Sequence, residues 1–258
     1  MHNLDLQFHQ QLLQKVFSFH EKRDFTIECV LEGTMCKVIA DCKTSPAIFL
    51  IQNGPFYILG GDSEHSQSEN IVNRIPNGAT ILPSPKNWIS ILEKQPNVTL
   101  QPYERFSLNH ENISISHLDK IINSSLNELE ITEIDVVLAS SISRDEKFNY
   151  HFQNFKSESD FLNRGVGFVA IYDGLIVGVA SSALVCARGY EISIMVLPEF
   201  RGRSFGKILA ANLVRSILNR NKVPHWDSAN EISLNLAQQL GYEFKEKYQA
   251  HKIIKQVV

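Results

Sequence analysis

The sequence predicts an α+β protein of two domains, residues 1–128 and 129–258. Three observations carry this reading. Residues 191–218, EISIMVLPEFRGRSFGKILAANLVRSIL, read as a strand, a polar loop and a helix. Upstream, two apolar runs flank Asp173-Gly174, a pair that tolerates positive φ and so marks a hairpin. The first half alternates short apolar runs with turn residues. With 258 residues of which 43% are hydrophobic, the chain has material for a sizeable core.

Taken in order, residues 2–19 read as a helix with Leu4, Phe8, Leu12, Leu13, Val16 and Phe17 in one stripe. Short strands are expected at 25–31, 37–40 and 47–52. Asn53-Gly54 signals a hairpin into a strand at 56–59, and Gly60-Gly61-Asp62 closes this meander as a turn. Residues 62–102 are more polar and hold Pro76, Pro83, Pro85, Pro96 and Pro102. A helix at 86–94 carries Trp88 as a packing anchor, with Ile91 and Leu92. A strand at 103–108 and a helix at 117–126 complete the first half, which names no chemistry of its own. No internal repeat recurs at a fixed period.

The second half opens with a strand at 131–139 and one or two short helices within 148–162. The hairpin pairs 168–172 with 175–185. The strand from Glu191 ends at Pro198, which cannot continue a ladder. From Gly206 the apolar residues Ile208, Leu209, Leu213, Val214, Ile217 and Leu218 recur at helical spacing. Lys207, Asn212, Arg215 and Ser216 take the other face. A strand at 223–226 follows. A helix from Asn230 carries Ile232, Leu234, Leu236, Ala237 and Leu240 and is closed by Gly241. One or two strands fill 242–254.

Composition narrows the function. Net charge is −3 and no run of five Lys or Arg occurs, so a nucleic-acid partner has no electrostatic support. The start, MHNLDLQFHQ, lacks the basic and apolar regions of a signal peptide. Residues 165–187 contain only Asp173 as a charge, but the Asp173-Gly174 turn at their centre makes them a hairpin and not a membrane span. Cys29, Cys36, Cys42 and Cys186 form no C-x-x-C pair, and no His cluster has metal spacing. These read as reduced thiols in a cytoplasmic protein without a metal site.

The chemistry sits after the central strand. Arg201-Gly202-Arg203-Ser204-Phe205-Gly206 is a basic loop opening a helix, a place for a phosphate, because free N–H groups and the positive end of the macrodipole meet there. The loop resembles the pyrophosphate loop of the GNAT superfamily of N-acetyltransferases, R/Q-x-x-G-x-G/A. Arg201 and Gly206 match, and Ser204 stands where the family has its middle glycine. A second patch, WDSANEISLNLAQQLGY at 226–242, resembles the family's N-x-x-A-x-x-L-Y-x-x-x-G-F segment through Asn230, Leu236, Gly241 and Tyr242, with Ser233 for the alanine. The resemblance spans residues 130–254. The WDSAN start and the long N-terminal half are similar to a bacterial group that includes a zwittermicin A resistance acetyltransferase.

The resemblance implies a C-terminal GNAT fold, a mixed and mostly antiparallel central sheet flanked by helices, beside an α+β N-terminal domain. It implies acetyl-CoA as the acetyl donor and direct transfer to a primary amine of a small molecule, an antibiotic or a metabolite. The backbone N–H groups of Gly202, Arg203, Ser204, Phe205, Gly206 and Lys207 would hold the pyrophosphate, with Arg201 and Arg203 adding charge. Ile194, Met195 and Val196 would pair with pantetheine, and the Val196 N–H would stabilise the oxyanion. Asn230 and Ser233 would stand on the cofactor side, where Asn230 also reads as a helix N-cap. Primary amines are mostly protonated near neutrality, with reference pKa values of about 8 to 10. A base is therefore needed, and Glu191 is the first candidate, with His225 and Asp227 as second choices. The family's general-acid tyrosine falls at Ala237, which leaves the proton donor open. The alternative reading is a non-catalytic acyl-CoA-binding or regulatory protein. The first half is expected to shape the acceptor side of the cleft, and a homodimer is left open.

Overall fold

The computed structural model describes residues 1–17, 20, 25–124 and 128–255. In chain order they form β1 (His2–Asn3), α1 (Gln10–Phe17), α2 (Phe25–Glu32), β2 (Lys37–Ala40), β3 (Ile48–Asn53), β4 (Phe56–Gly61), α3 (Ser68–Val72), β5 (Thr80–Ile81), α4 (Lys86–Glu93) and β6 (Val98–Asn109). There follow α5 (Ile115–Asn123), β7 (Leu129–Glu133), α6 (Val136–Arg144), α7 (Glu158–Arg164), β8 (Gly167–Tyr172), β9 (Leu175–Val185), β10 (Gly189–Val196), α8 (Phe205–Asn219), β11 (Val223–His225), β12 (Asp227–Ser228), α9 (Glu231–Gln239) and β13 (Glu243–Lys255). Short 3₁₀ turns lie at Asn149–Phe152 and Pro198–Phe200. The class is α+β.

The chain folds as two compact units, one of Met1–Arg105 with Tyr248–Val258, the other of Phe106–Lys247. These limits differ from a division at residue 128. Helix α5 belongs to the second unit because Leu118 and Ile121 enter the same core as α8. Asp119 on α5 also pairs with Arg215 on α8 at 2.8 Å.

In the first unit β1, β2, β3 and β4 form an antiparallel meander, β5 adds parallel to β4, and the end of β13 pairs antiparallel with β5. Phe17, Phe49 and Ile51 anchor one buried cluster and Trp88, Leu50 and Leu59 another. In the second unit β7, β8, β9 and β10 form a second antiparallel meander, and β11 adds parallel to β10. The β8–β9 hairpin turns through Asp173 (φ 51°) and Gly174 (φ 74°), the two positive-φ positions of the turn expected from the sequence. Helix α8 lies on this sheet and buries Phe205, Ile208, Leu209, Ala210, Ala211, Leu213, Val214 and Ile217.

Three expectations need correction. Residues 25–31 are helical, not a strand. Six residues of α2 are buried, so its apolar run carries no period that would separate the two states. Gly33 then stops the helix at φ 68°, with the N–H groups of Gly33 and Thr34 returning to the carbonyls of Val30 and Cys29. The strand at 131–139 ends at Glu133, because Asp135 caps α6 by accepting the Leu138 N–H at 2.8 Å. The first helix starts only at Gln10. Asp5 holds a turn on the N–H groups of Gln7 and Phe8, which leaves Phe8 exposed, while His2 and Asn3 join β2. The parts of the first helix at 18–19 and of the 117–126 helix at 125–126 lie outside the described residues.

Candidate active site

The site grows from the divergence of two parallel strands. β10 pairs with β9 as far as Val196, but with β11 only at Gly189, Tyr190 and Glu191. Gly189 permits the close start: a Cβ there would stand 2.1 Å from the Val223 carbonyl oxygen. After His225 the chain leaves, because Asp227 and Ser228 pair with Ser107 and Phe106 of β6 instead. From Ile192 onward that edge of β10 has no strand partner among the described residues. The Leu197 N–H donates to the Val177 carbonyl at 2.9 Å. Antiparallel alternation then turns the backbone groups of Ile194 and Val196 to the open edge. The Val196 carbonyl there accepts from Arg201 Nε at 3.0 Å.

Alternation also sorts the side chains. Tyr190, Ile192 and Val196 enter the core with α8, and Glu191, Ser193 and Met195 take the opposite face. Glu191 stands beside His225 at the last paired position, and its Oε2 is hydrogen-bonded to His225 Nδ1. Both side chains are largely buried, at 18% and 15% exposure. Their surroundings are charged and close. His110, which no sequence pattern singled out, is held below the usual histidine range by burial and by the neighbouring charges of His225 and Arg188. The Tyr242 hydroxyl is pushed well up by burial, with the Glu191 carboxylate adding to it, and it donates to the Pro224 carbonyl at 2.7 Å.

The loop after β10 leads into the N-terminus of α8. Gly202 and Ser204 have φ of 78° and 63°, which bends the backbone into the start of α8. The Ile208 N–H bonds to the Ser204 carbonyl at 3.1 Å. The N–H groups of Phe205, Gly206 and Lys207 precede it in the first turn, where no carbonyl of the helix can reach them. A phosphate is the ligand that such a terminus favours. On the facing wall, Asn230 caps α9 by accepting the Ser233 N–H at 2.9 Å. The Ser233 hydroxyl accepts from Trp226 Nε1 at 3.0 Å, and the Trp226 ring packs edge-on against Tyr242.

Between these walls runs a groove of about 650 Å³. Its lining includes Ile194, Met195 and Val196 from the open strand and Arg201, Gly202, Ser204, Phe205, Gly206 and Lys207 from the loop and α8. Asn230 and Ser233 line it from α9. Arg203 is placed differently: its guanidinium lies over the rings of Tyr172 and Phe200, at 5.7 and 5.6 Å, and is not among the lining residues. Glu191 and His225 stand further along the divergence, outside the lining, and Asp227 lies on β12. Ala237 is fully buried in the core. Tyr150 lines the groove as well, from the 3₁₀ turn, and a short turn of mixed residues gave the sequence no signal for it.

A sequence model described as GNAT acetyltransferase matches residues 16–251. An uncharacterized N-acetyltransferase of Bacillus subtilis (strain 168), YdfB, is 24% identical over 223 residues, covering 82% of this chain and 83% of its own. Among solved structures, a GCN5-related N-acetyltransferase-like protein from Streptococcus suis superposes with a TM-score of 0.83 at 25% identity, covering 96% of this chain and 99% of that one. A tandem GNAT protein from the clavulanic acid biosynthesis pathway shares the fold at a TM-score of 0.57 and 11% identity, covering 97% and 94%. The family match takes in both halves of the chain and the whole groove, and it agrees with a divergent β10–β11 pair feeding the N-terminus of α8: the chain belongs to the GNAT acetyltransferase family.

Proposed function

We propose that this protein moves an acetyl group from acetyl-CoA directly to a primary amine of a small molecule. The observation that carries the reading is the strand divergence, with an anion-binding helix terminus at one end and the Glu191–His225 pair at the other. The residues present fit coenzyme A. The Phe205, Gly206 and Lys207 N–H groups would take the pyrophosphate, the open edge of β10 would pair with the pantetheine amides, and Asn230 and Ser233 would flank the arm. Bound there, acetyl-CoA supplies an activated acyl group.

The chain's own residues do the rest. The Glu191–His225 pair takes the proton that the amine must lose, and the hydrogen bond between them orients the imidazole. The Val196 N–H, turned to the open edge, donates to the acyl oxygen as negative charge develops on it. The carboxylate of Glu191 also favours a cationic acceptor arriving at the divergence. Within this class we propose an amine-bearing antibiotic or metabolite, including aminopolyols of the zwittermicin type.

Gly206→Glu tests the cofactor end. A Cβ at Gly206 would meet only Val196 and Leu236 side-chain carbons, at 3.5 and 3.8 Å, so the fold tolerates a side chain there while the groove does not. The variant should unfold like the wild type and lose coenzyme A binding by calorimetry. Unchanged affinity would remove the basis of the reading. A thiol-release assay across a panel of amines, aminoglycosides and aminopolyols identifies the acceptor.

A further inference from the structure

We propose that Tyr150 is the catalytic proton donor to the departing sulfur, a role that Ala237 cannot fill. The assignment rests on the acetyltransferase reading above. Acyl transfer forms a C–N bond and breaks a C–S bond, and the sulfur leaves with the bonding pair. A thiol of pKa about 8.5 leaves less readily as a bare thiolate than as the protonated thiol. In the proposed step the Tyr150 hydroxyl gives its proton to sulfur as the C–S bond breaks, then recovers one from solvent. The amine's proton goes to the Glu191–His225 pair, so amide and free thiol are the net products.

Placement singles this tyrosine out. Ala237, on the core face of α9, is fully buried and has no proton to give. The Ser233 hydroxyl accepts from the Trp226 indole, and an aliphatic hydroxyl is a weaker acid than a phenol. Ser204 and Lys207 stand at the phosphate end of the groove. Tyr150 lines the groove with Ile194 and Met195, and its hydroxyl is hydrogen-bonded to Ser193. Ser193 lies between Glu191 and Met195 on the same face of β10. The proposed base and the residue that holds the proposed acid are therefore two positions apart on one strand, about 7 Å. A reacting acyl group can lie between them.

The tyrosine is also held still. His151, the next residue, is buried and its Nδ1 bonds to the Ser181 hydroxyl at 2.8 Å. Ser181 is the cross-strand partner of Ser193. Two adjacent residues of the turn are thus fixed to two paired serines, and the Tyr150 and His151 rings lie 4.4 Å apart. Burial raises the phenol's pKa, which keeps it protonated near neutrality, and the Ser193 hydrogen bond eases formation of the phenolate.

Tyr150→Phe in the full-length chain tests this, because phenylalanine keeps the ring and its packing. Calorimetry should give acetyl-CoA affinity within about threefold of wild type, while kcat falls by roughly 10²–10⁴. A second readout is independent of turnover. The ultraviolet absorbance of the thiolate of bound coenzyme A, followed against pH, should titrate about one unit higher in the variant, since the donor to the thiolate is gone. Ser193→Ala should move both readouts the same way by less, and it serves if Tyr150→Phe folds poorly. Turnover near wild type, or a bound thiol titrating at the wild-type pH, overturns the assignment. Failure of the wild type itself to bind acetyl-CoA overturns the acetyltransferase reading and this assignment together.

Discussion

Ser204 holds φ at 63° directly before α8, a conformation that costs an L-residue about 1–2 kcal/mol and a glycine none. Ser204→Gly should therefore stabilise, by less than that figure because glycine gains freedom in the unfolded chain. Gly202→Ala should do the reverse. Nothing lies within 4 Å of a Cβ there, so its loss of about 1–2 kcal/mol would be backbone strain alone. Thermal unfolding of both variants checks the pair. Glu191→Gln should lower kcat by roughly 10²–10⁴ with acetyl-CoA affinity nearly unchanged. Near-normal turnover would move the base role to His225, Asp227 or water. His151 gives a pH signature. Burial holds its pKa down to about 3, so the folded protein keeps it neutral while the unfolded chain protonates near 6.5. The unfolded state thus binds more protons between those values, and this contribution is complete above about 6.5 and lost as pH falls toward 3, by about 1.4 kcal/mol per unit. Urea unfolding at pH 7 and pH 5, compared with His151→Gln, isolates it: the gap between the two proteins should shrink at pH 5.

At the scale of elements, the divergence of β10 from β11 depends on where their pairing begins. Gly189 sets that point by backbone contact with Val223, which no side chain could yield to. Gly189→Ala should cost about 1–3 kcal/mol through overpacking. It should also reduce turnover more than acetyl-CoA affinity, because the Glu191–His225 register is two residues away and the helix terminus is not. Equal losses in both would place the defect in global stability instead. The cap of α9 and the hairpin at Asp173-Gly174 were legible as local chemistry, since Asn, Asp and Gly each have a short-range reason to be where they are. Helix α2 was not: its residues are buried nearly all round, and burial on all sides erases the period that distinguishes a helix from a strand.

At the scale of the molecule, every groove-lining residue falls between Tyr150 and Gln239, inside the unit Phe106–Lys247. A fragment of residues 106–247 should keep acetyl-CoA affinity within about tenfold. A fragment beginning at 129 should be markedly less stable, because it removes Leu118 and Ile121 from the core, and large apolar side chains lost from a core cost about 2–5 kcal/mol each. Thermal unfolding and calorimetry on the two fragments decide between them. Equal stability would mean that α5 is an accessory to this unit and not part of its core. Among the described residues no helix is long and apolar enough to cross a membrane.

The sequence by itself determined what short-range chemistry specifies. The central strand, the loop with Arg201 and Gly206, the amphipathic helix behind it and the Asn230 cap each rest on spacing within a few residues, and together they carried the family resemblance. Tertiary structure decided what depends on which strands meet. Glu191 faces His225 across 34 positions only because a parallel register brings them together. Arg203 turned to Tyr172 and Phe200 because those rings offer a cation face that no local pattern reveals. Tyr150 joined the groove from a 3₁₀ turn, a placement written in the packing of that turn against a sheet face.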